Sequence, residues 1–254
     1  MTRLMHELEV AAASDVVMVA SDYDGTLAPI VADPDQAHPD AKALSVLVSL
    51  SLLPDTHAAI LSGRNVAVLE RLTGPPAGVE LVGSHGAELG GRLPDVEAQA
   101  RKDLAEVRVR LARLGDEFPG SHLELKPAGV AFHYRMVTAA RQSTAESAAR
   151  RIGRDYPGLT ILNGKRVVEI TGSATNKGHA LRSLRDRWAA DVVVFIGDDI
   201  TDEDAFAALR PIDVGIKVGA GATRARFRVD DQTQVASVLE SLLAFRRDKS
   251  RRVT

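Results

Sequence analysis

Two short apolar runs, residues 16–20 (VVMVA) and 192–196 (VVVFI), each break off into aspartate and glycine. The first opens into Asp22, Tyr23, Asp24, Gly25 and Thr26, the second into Gly197, Asp198, Asp199 and then Asp202. A β-branched run with no polar alternation fits a strand buried on both faces, as in a parallel sheet covered by helices. In open sheets of that kind ligands bind at the carboxyl ends of the strands. Paired carboxylates held at that edge require a cation or a proton to be tolerated. The pattern therefore suggests Asp22 as a nucleophile and Asp24 as an acid/base, both beside a magnesium ion.

The stretches between and around these runs supply the rest of an α/β fold. Residues 3–13 have helical composition. A polar connection over 33–40 leads to a helix marked by Leu44, Leu47 and Val48 that ends near Pro54. A strand over 57–61 delivers Ser62-Gly63-Arg64, and another over 79–82 delivers the loop from Gly83 to Glu88. From about Gly90 the rhythm changes. Leu104, Val107, Leu111 and Leu114 predict an amphipathic helix over 98–114, ended by Gly115. Strands over 123–126 and 130–135, a helix over 138–152 and a hairpin turning on Asn163-Gly164 follow. A helix over 177–188, the strand over 192–196 and weaker strands over 214–218 and 226–229 then restore the parallel pattern. An apolar helix through Val235, Val238, Leu239 and Leu242 closes it, and the tail from Arg246 is expected to be solvated and frayed. The expectation is an α/β protein: a doubly wound, Rossmannoid parallel-sheet core over 1–91 and 171–254, with an inserted α+β domain over 92–170.

Composition narrows the chemistry by exclusion. The chain contains no cysteine, which removes disulfides, thiolate zinc sites and cysteine nucleophiles. A net charge of -2 over 254 residues offers no footprint for nucleic acid or an anionic membrane. Glu7, Glu9 and Asp15 interrupt the apolar residues near the N-terminus, so no secretory leader is recognised. Nowhere do the roughly 20 apolar residues of a membrane span run together. A soluble, cytoplasmic protein is expected.

The acids suit phosphoryl transfer. A carboxylate such as Asp22 can attack phosphorus and form an aspartyl-phosphate, dividing one hard displacement into two easier ones. Attack of one anion on another needs charge neutralisation, and magnesium is held by one or two carboxylates plus phosphate oxygens. Asp24 is placed to protonate the leaving oxygen and later to deprotonate water. A calcium loop fails by count, since it wants glycine sixth and glutamate twelfth, whereas from Asp22 the fourth residue is Gly25 and the twelfth Asp33. In the second cluster, helix capping accounts for Thr201, Glu203 and Asp204. It does not account for acids directly after Gly197, so Asp198 and Asp202 join Asp22 and Asp24 as metal residues. Ser62 either donates its hydroxyl to a phosphoryl oxygen or serves as an ordinary cap. Lys177 opens a helix, where the macrodipole disfavours a cation. Neutralising a phosphate and the nucleophile explains its placement.

DYDGT, SGR, NKG and GDDITDED, in this order, resemble the four motifs of the haloacid dehalogenase superfamily of phosphohydrolases. More narrowly, DYDGTLAPI, GSHGAE, Glu124-x-Lys126 with His133-Tyr134-Arg135, VVEI, NKG and GDDITDEDAF are similar to the trehalose-6-phosphate phosphatase family. That family removes phosphate from trehalose 6-phosphate in trehalose biosynthesis, using magnesium. The resemblance implies catalysis by Asp22, Asp24, Ser62 and Lys177 and an inserted cap in which Glu124, Lys126 and Glu169 grip the sugar. It also counts Arg64 and His85 among the substrate-binding residues. Carboxylates accept from hydroxyls, so the chemistry agrees. Without the resemblance, Glu124 and Lys126 read as a solvated strand face. The chain departs from the pattern in TGSATNKG, where many relatives carry a proline and a glycine ahead of the asparagine. Residues before Asp22 are too few for a synthase domain, so the phosphatase is expected to stand alone. It is expected to be monomeric, with functional coupling to a separate trehalose-phosphate synthase. Competing readings are a different phosphosugar (sucrose phosphate, mannosyl-phosphoglycerate), phosphomutase chemistry, and a regulatory domain without turnover. The last conflicts with the presence of Asp22, Asp24, Lys177 and Asp198 together.

Overall fold

The computed structural model describes residues 2–90, 96–164, 166–173 and 175–253. They form two compact units, one of Met1–Gly90 with Asn176–Thr254 and one of Gly91–Thr175. The boundary expected at residue 92 lies outside the described residues.

In the first unit the chain runs through α1 (Thr2–Ala12), β1 (Val17–Asp22), α2 (Ala41–Ser51), β2 (Thr56–Leu61), α3 (Val66–Thr73) and β3 (Val79–Val82). The second unit holds α4 (Ala98–Glu117), β4 (His122–Lys126), β5 (Gly129–His133), α5 (Ala139–Arg154), β6 (Thr160–Gly164) and β7 (Val167–Thr171). The chain returns to the first with α6 (Lys177–Trp188), β8 (Val192–Gly197), α7 (Glu203–Ala208), β9 (Val214–Val218), β10 (Phe227–Val229) and α8 (Val235–Val253).

The sheet of the first unit has the order β10-β9-β8-β1-β2-β3, with every pair parallel. Strands are added on one side of β1 through β2 and β3, and later on the other through β8, β9 and β10. Such a reversal leaves a crevice at the carboxyl end of the middle strand. The apolar runs fold this way because both faces of each strand are covered. Val17, Val19, Ile60 and Val194 enter one core with Leu8, Leu47 and Leu239 of α1, α2 and α8. Met18, Ala20, Val193 and Phe195 enter the other with Leu181, Leu184 and Phe206 of α6 and α7. Alternate residues of one strand thus serve opposite cores, the geometric consequence of a period of two.

The sheet of the second unit is antiparallel, in the order β4-β5-β7-β6. Leu104, Val107 and Leu111 of α4 and Ala145, Ala149 and Ile152 of α5 pack with Val130, Phe132, Val168 and Ile170. The alternate positions, Glu124 and Lys126 of β4, Ala131 and His133 of β5 and Glu169 of β7, share the opposite face.

Three local expectations change. The helix expected to stop at Gly115 continues to Glu117, because a helical glycine is disfavoured by only about 1 kcal/mol and Phe118, buried at the C-cap, anchors the extra turn. The hairpin does not turn on Asn163-Gly164. Those residues pair with Val168 and Val167, so the chain turns after Gly164, with Arg166 at φ 67° and Lys165 outside the described residues. This register sets Ile161 opposite Ile170 and against the core, which outweighs the local turn preference. The tail is not frayed at Arg246, which is 3% exposed near the end of α8. Its guanidinium donates to the carbonyls of Ala12, Ser14, Asp15, Pro54 and Asp55 and to Thr56 Oγ1, tying together the segments that enter β1 and β2. No helix among the described residues is long and apolar enough to cross a membrane.

Candidate active site

Asp22 is the last residue of β1, while Ser62 and Asp198 directly follow the last residues of its neighbours β2 and β8. Strand length and pairing therefore bring three polar side chains to one edge. Asp22 is buried, and its Oδ1 accepts a hydrogen bond from Lys177 Nζ at 2.5 Å, whereas Oδ2 has no hydrogen-bond partner among the described residues. Lys177, the first residue of α6, also donates to Asp202 Oδ1 at 2.7 Å. Burial pushes the ammonium toward its neutral form, but Asp202 and Asp22 push harder the other way and keep it charged. These two partners offset the unfavourable position of a lysine at a helix N-terminus. The Asp22 carboxyl is pushed well above the usual carboxylate range, by burial first and Asp202 next, with Lys177 opposing and Asp198 adding to the shift.

The acidic loop after β8 is shaped by Asp202. Its Oδ2 accepts from the backbone N–H groups of Asp198 at 2.9 Å and Asp199 at 2.8 Å. Asp199 and Asp202 form a reciprocal capping box. The capping expected of Thr201 and Asp204 is thus performed by Asp199 and Asp202, because a turn of 3-10 helix, Ile200–Asp202, precedes α7 and moves the helical start upstream. Asp22, Asp198 and Asp202 offer oxygens that all lie within 4.8 Å of one another. Gly25 permits this convergence: at φ 91° it takes a left-handed backbone, and a Cβ there would lie 2.2 Å from Asp198 Oδ2.

These groups fit a hard divalent cation. The donors are all carboxylate oxygens, and Asp22 Oδ2 is a buried oxygen that no group among the described residues satisfies. Asp24, expected among the metal residues, is not part of the converged group. Its two oxygens form a bidentate pair with Arg64, 2.6 Å from Nε and 2.7 Å from Nη2. The reason is the tight turn after β1, closed by Gly25 N–H on the Ala28 carbonyl at 2.7 Å, which takes Asp24 out of the strand direction of Asp22. The Arg64 guanidinium lies 5.6 Å from the centroid of the Tyr23 ring, whose hydroxyl donates to the Ala37 carbonyl at 2.7 Å.

Ser62 is 1% exposed and does not cap α3, a role taken by Asn65. Its Oγ accepts from the Arg64 backbone N–H at 3.1 Å. His85 donates its backbone N–H to the Ser62 carbonyl, and its imidazole fills the space where a Cβ on Gly63 would stand. Ser84 and His85, both at left-handed φ, 48° and 55°, hold this close approach. Sequence reasoning missed Lys217, a buried lysine in the apolar strand β9 whose ammonium donates to the Asp198 carbonyl. A lone cation within VGIKV was the available signal.

In the second unit Lys126 and Glu169 form a buried ion pair, and His133 Nε2 lies 3.0 Å from Glu124 Oε2. Burial pushes the Glu124 carboxyl up, but the His133 hydrogen bond and the charges of Lys126 and His133 outweigh it and leave it below its ordinary value.

The model of the family described as trehalose-phosphatase matches residues 20–234. The chain belongs to the trehalose-phosphatase family. It is 34% identical over 232 residues to the Escherichia coli trehalose-6-phosphate phosphatase, covering 87% of this chain and 84% of that protein. It is 37% identical over 234 residues to the bifunctional trehalose-6-phosphate synthase/phosphatase of Thermoproteus tenax, covering 87% of this chain but only 31% of that protein. Among solved structures, the C-terminal domain of the Candida albicans trehalose-6-phosphate phosphatase superposes with a TM-score of 0.81 at 25% identity over 96% of both chains. Proteins so named are phosphoric monoester hydrolases, and the parallel sheet with a separate antiparallel sheet is the haloacid dehalogenase-like fold expected from the motifs.

Proposed function

We propose that this chain hydrolyses trehalose 6-phosphate to trehalose and phosphate through an aspartyl-phosphate on Asp22, with magnesium as its cation. The observation that carries the chemistry is the Asp22 carboxylate at the end of the central strand, one oxygen fixed by Lys177 and the other without a partner among the described residues. Its Oδ2 forms the bond to phosphorus as the bond from phosphorus to the sugar oxygen breaks, and Asp24 gives that oxygen a proton. Asp24 then takes a proton from water as the water oxygen attacks phosphorus, which releases phosphate and restores Asp22. Both oxygens of Asp24 rest on Arg64, so each proton transfer requires one of them to leave the guanidinium. Lys177 orients Asp22 and offsets phosphate charge, and the Ser62 hydroxyl donates to a phosphoryl oxygen. Asp22, Asp198 and Asp202 would hold the cation, which when bound offsets the negative charge of nucleophile and phosphoryl group. Asp202 already accepts three hydrogen bonds, so its larger part is to shape the loop.

The second unit is proposed as the substrate-selecting cap, with Glu124, Lys126 and Glu169 on the sugar hydroxyls and Arg64 and His85 assisting from the first. The family match spans both units, and the polar sheet face bearing Glu124 and Glu169 supports it. The bifunctional Thermoproteus relative supports functional coupling to a trehalose-phosphate synthase. The test is phosphate release from a panel of sugar phosphates with magnesium and with chelator. Strong preference for trehalose 6-phosphate, lost on chelation, is expected. Equal turnover of all esters removes the substrate assignment, and full activity in chelator removes the metal.

A further inference from the structure

The polar face of the second sheet repeats one arrangement twice. On the middle rung Glu124 of β4, Ala131 of β5 and Glu169 of β7 stand side by side, so two carboxylates flank a methyl group. Each has a basic partner from an adjoining rung. Lys126, paired in register with Gly129, reaches Glu169 from one side, and His133, paired with His122, reaches Glu124 from the other. Ala131 leaves room for both crossings. His122 lies across from His133 with ring centroids 6.1 Å apart.

We propose that His133 is a positioning residue: its Nε2 pins Glu124 Oε2 and thereby presents Oε1 of the same carboxylate to a sugar hydroxyl. Among the described residues no other hydrogen bond reaches the Glu124 carboxylate. Glu124 lies on β4, the edge strand of its sheet, and its side chain is 25% exposed, so the His133 hydrogen bond is what fixes the direction of its carboxylate. His133 lies on β5, an inner strand anchored on both sides by β4 and β7, and it transfers that rigidity to the edge. A carboxylate held by one oxygen loses less freedom on binding a hydroxyl than a mobile one does. The hydrogen bond needs only a proton on Nε2, which a neutral ring also carries in one tautomer. The role therefore does not depend on a charged histidine. The inference rests on the proposed assignment of Glu124 to the sugar.

The test is steady-state kinetics of His133→Ala, His133→Asn, Glu124→Ala and the double variant His133→Ala/Glu124→Ala, on trehalose 6-phosphate and on a small aryl phosphate. Losing a hydrogen bond to a charged group is worth about tenfold or more, so His133→Ala should raise KM for trehalose 6-phosphate by about that factor. The aryl phosphate, which offers no sugar, should be hydrolysed as before. His133→Asn, which retains an N–H donor, should recover part of the loss. In the Glu124→Ala background His133→Ala should add nothing, because the group it positions is gone. A KM that rises equally in both backgrounds, or a parallel loss on the aryl phosphate, overturns the positioning role. A normal KM in His133→Ala beside a raised one in Glu124→Ala overturns it alone and leaves Glu124 on the sugar. A normal KM in Glu124→Ala overturns the assignment of Glu124 and the inference with it.

Discussion

Replacing Asp22 by asparagine separates what the site needs for chemistry from what the fold needs for stability. Asp22 faces two other carboxylates with oxygens within 4.8 Å, and at an effective dielectric constant of about 20 each such repulsion is about 3 kcal/mol or more. The ammonium of Lys177 at 2.5 Å contributes an attraction of about 7 kcal/mol on the same scale. The pairwise interactions nearly cancel, and burial of the charge then decides the sign, in keeping with the upward displacement of the Asp22 carboxyl. Asparagine keeps the shape and an oxygen for Lys177 but carries no charge. In chelator at neutral pH, Asp22→Asn should therefore be more stable than the parent by about 2 kcal/mol, or about 4–8 °C in Tm for a chain of this size. A folded-state carboxyl raised above its unfolded value contributes stability that is present below the unfolded value and lost as pH rises through the raised one. The advantage of asparagine is thus largest at neutral pH and narrows as pH falls. Magnesium should raise the Tm of the parent more than that of the variant, since a ligand that binds only the folded state stabilises by its affinity. Phosphate release by the variant should be abolished. Differential scanning fluorimetry across pH, with chelator and with magnesium, measures all three thermal effects. A variant that melts below the parent in chelator at neutral pH would refute the reasoning, because the Lys177 attraction would then outweigh burial.

Asp24→Asn should reduce turnover of trehalose 6-phosphate by about 10²–10⁴-fold, as loss of a general acid/base does. It should still form phosphoenzyme from an aryl phosphate whose leaving group needs no proton, and absence of that adduct by mass spectrometry would contradict the separate roles of the two aspartates. Arg246→Met should lower stability by about 3 kcal/mol, because several buried carbonyls lose their donor together, while kcat per folded molecule stays unchanged at the far edge of the sheet. Denaturant unfolding and active-site-normalised kinetics check the two halves. His57 stacks on Trp188 with ring centroids 4.9 Å apart and planes 8° from parallel, and burial holds it below its ordinary value of 6.5, with Asp55 opposing. Fluorescence of this single tryptophan should fall as pH drops through a midpoint below 6.5, because a protonated imidazole quenches indole, and His57→Ala should abolish the transition. The stability His57 contributes is present above pH 6.5 and is lost as pH falls through that midpoint.

Local sequence determined much of the architecture. The runs at 16–20 and 192–196 fit strands buried on both faces, and residues 17–20 and 192–196 lie side by side in β1 and β8. It also determined which residues stand at the carboxyl edge, because Asp22, Ser62 and Asp198 occur where β1, β2 and β8 run out. What it left open were contacts between residues far apart in the chain. Lys177 and Asp22 are 155 positions apart, and only the assembled sheet with α6 beside it sets their spacing at 2.5 Å. The same holds for Asp24, whose side chain the turn after β1 directs to Arg64 and away from the other acids, and for Lys217, which reaches the Asp198 carbonyl across a strand pair. Arg246 shows it most plainly. By composition it belongs to a charged tail, yet helix packing buries it against carbonyls from two distant loops, which share the five N–H groups of its guanidinium. Periodicity and strand ends follow from local sterics and burial, which each segment carries with it. Hydrogen-bond partners and the sign of a buried charge's energy depend on what the rest of the chain places within a few ångströms, and only the tertiary structure decides that.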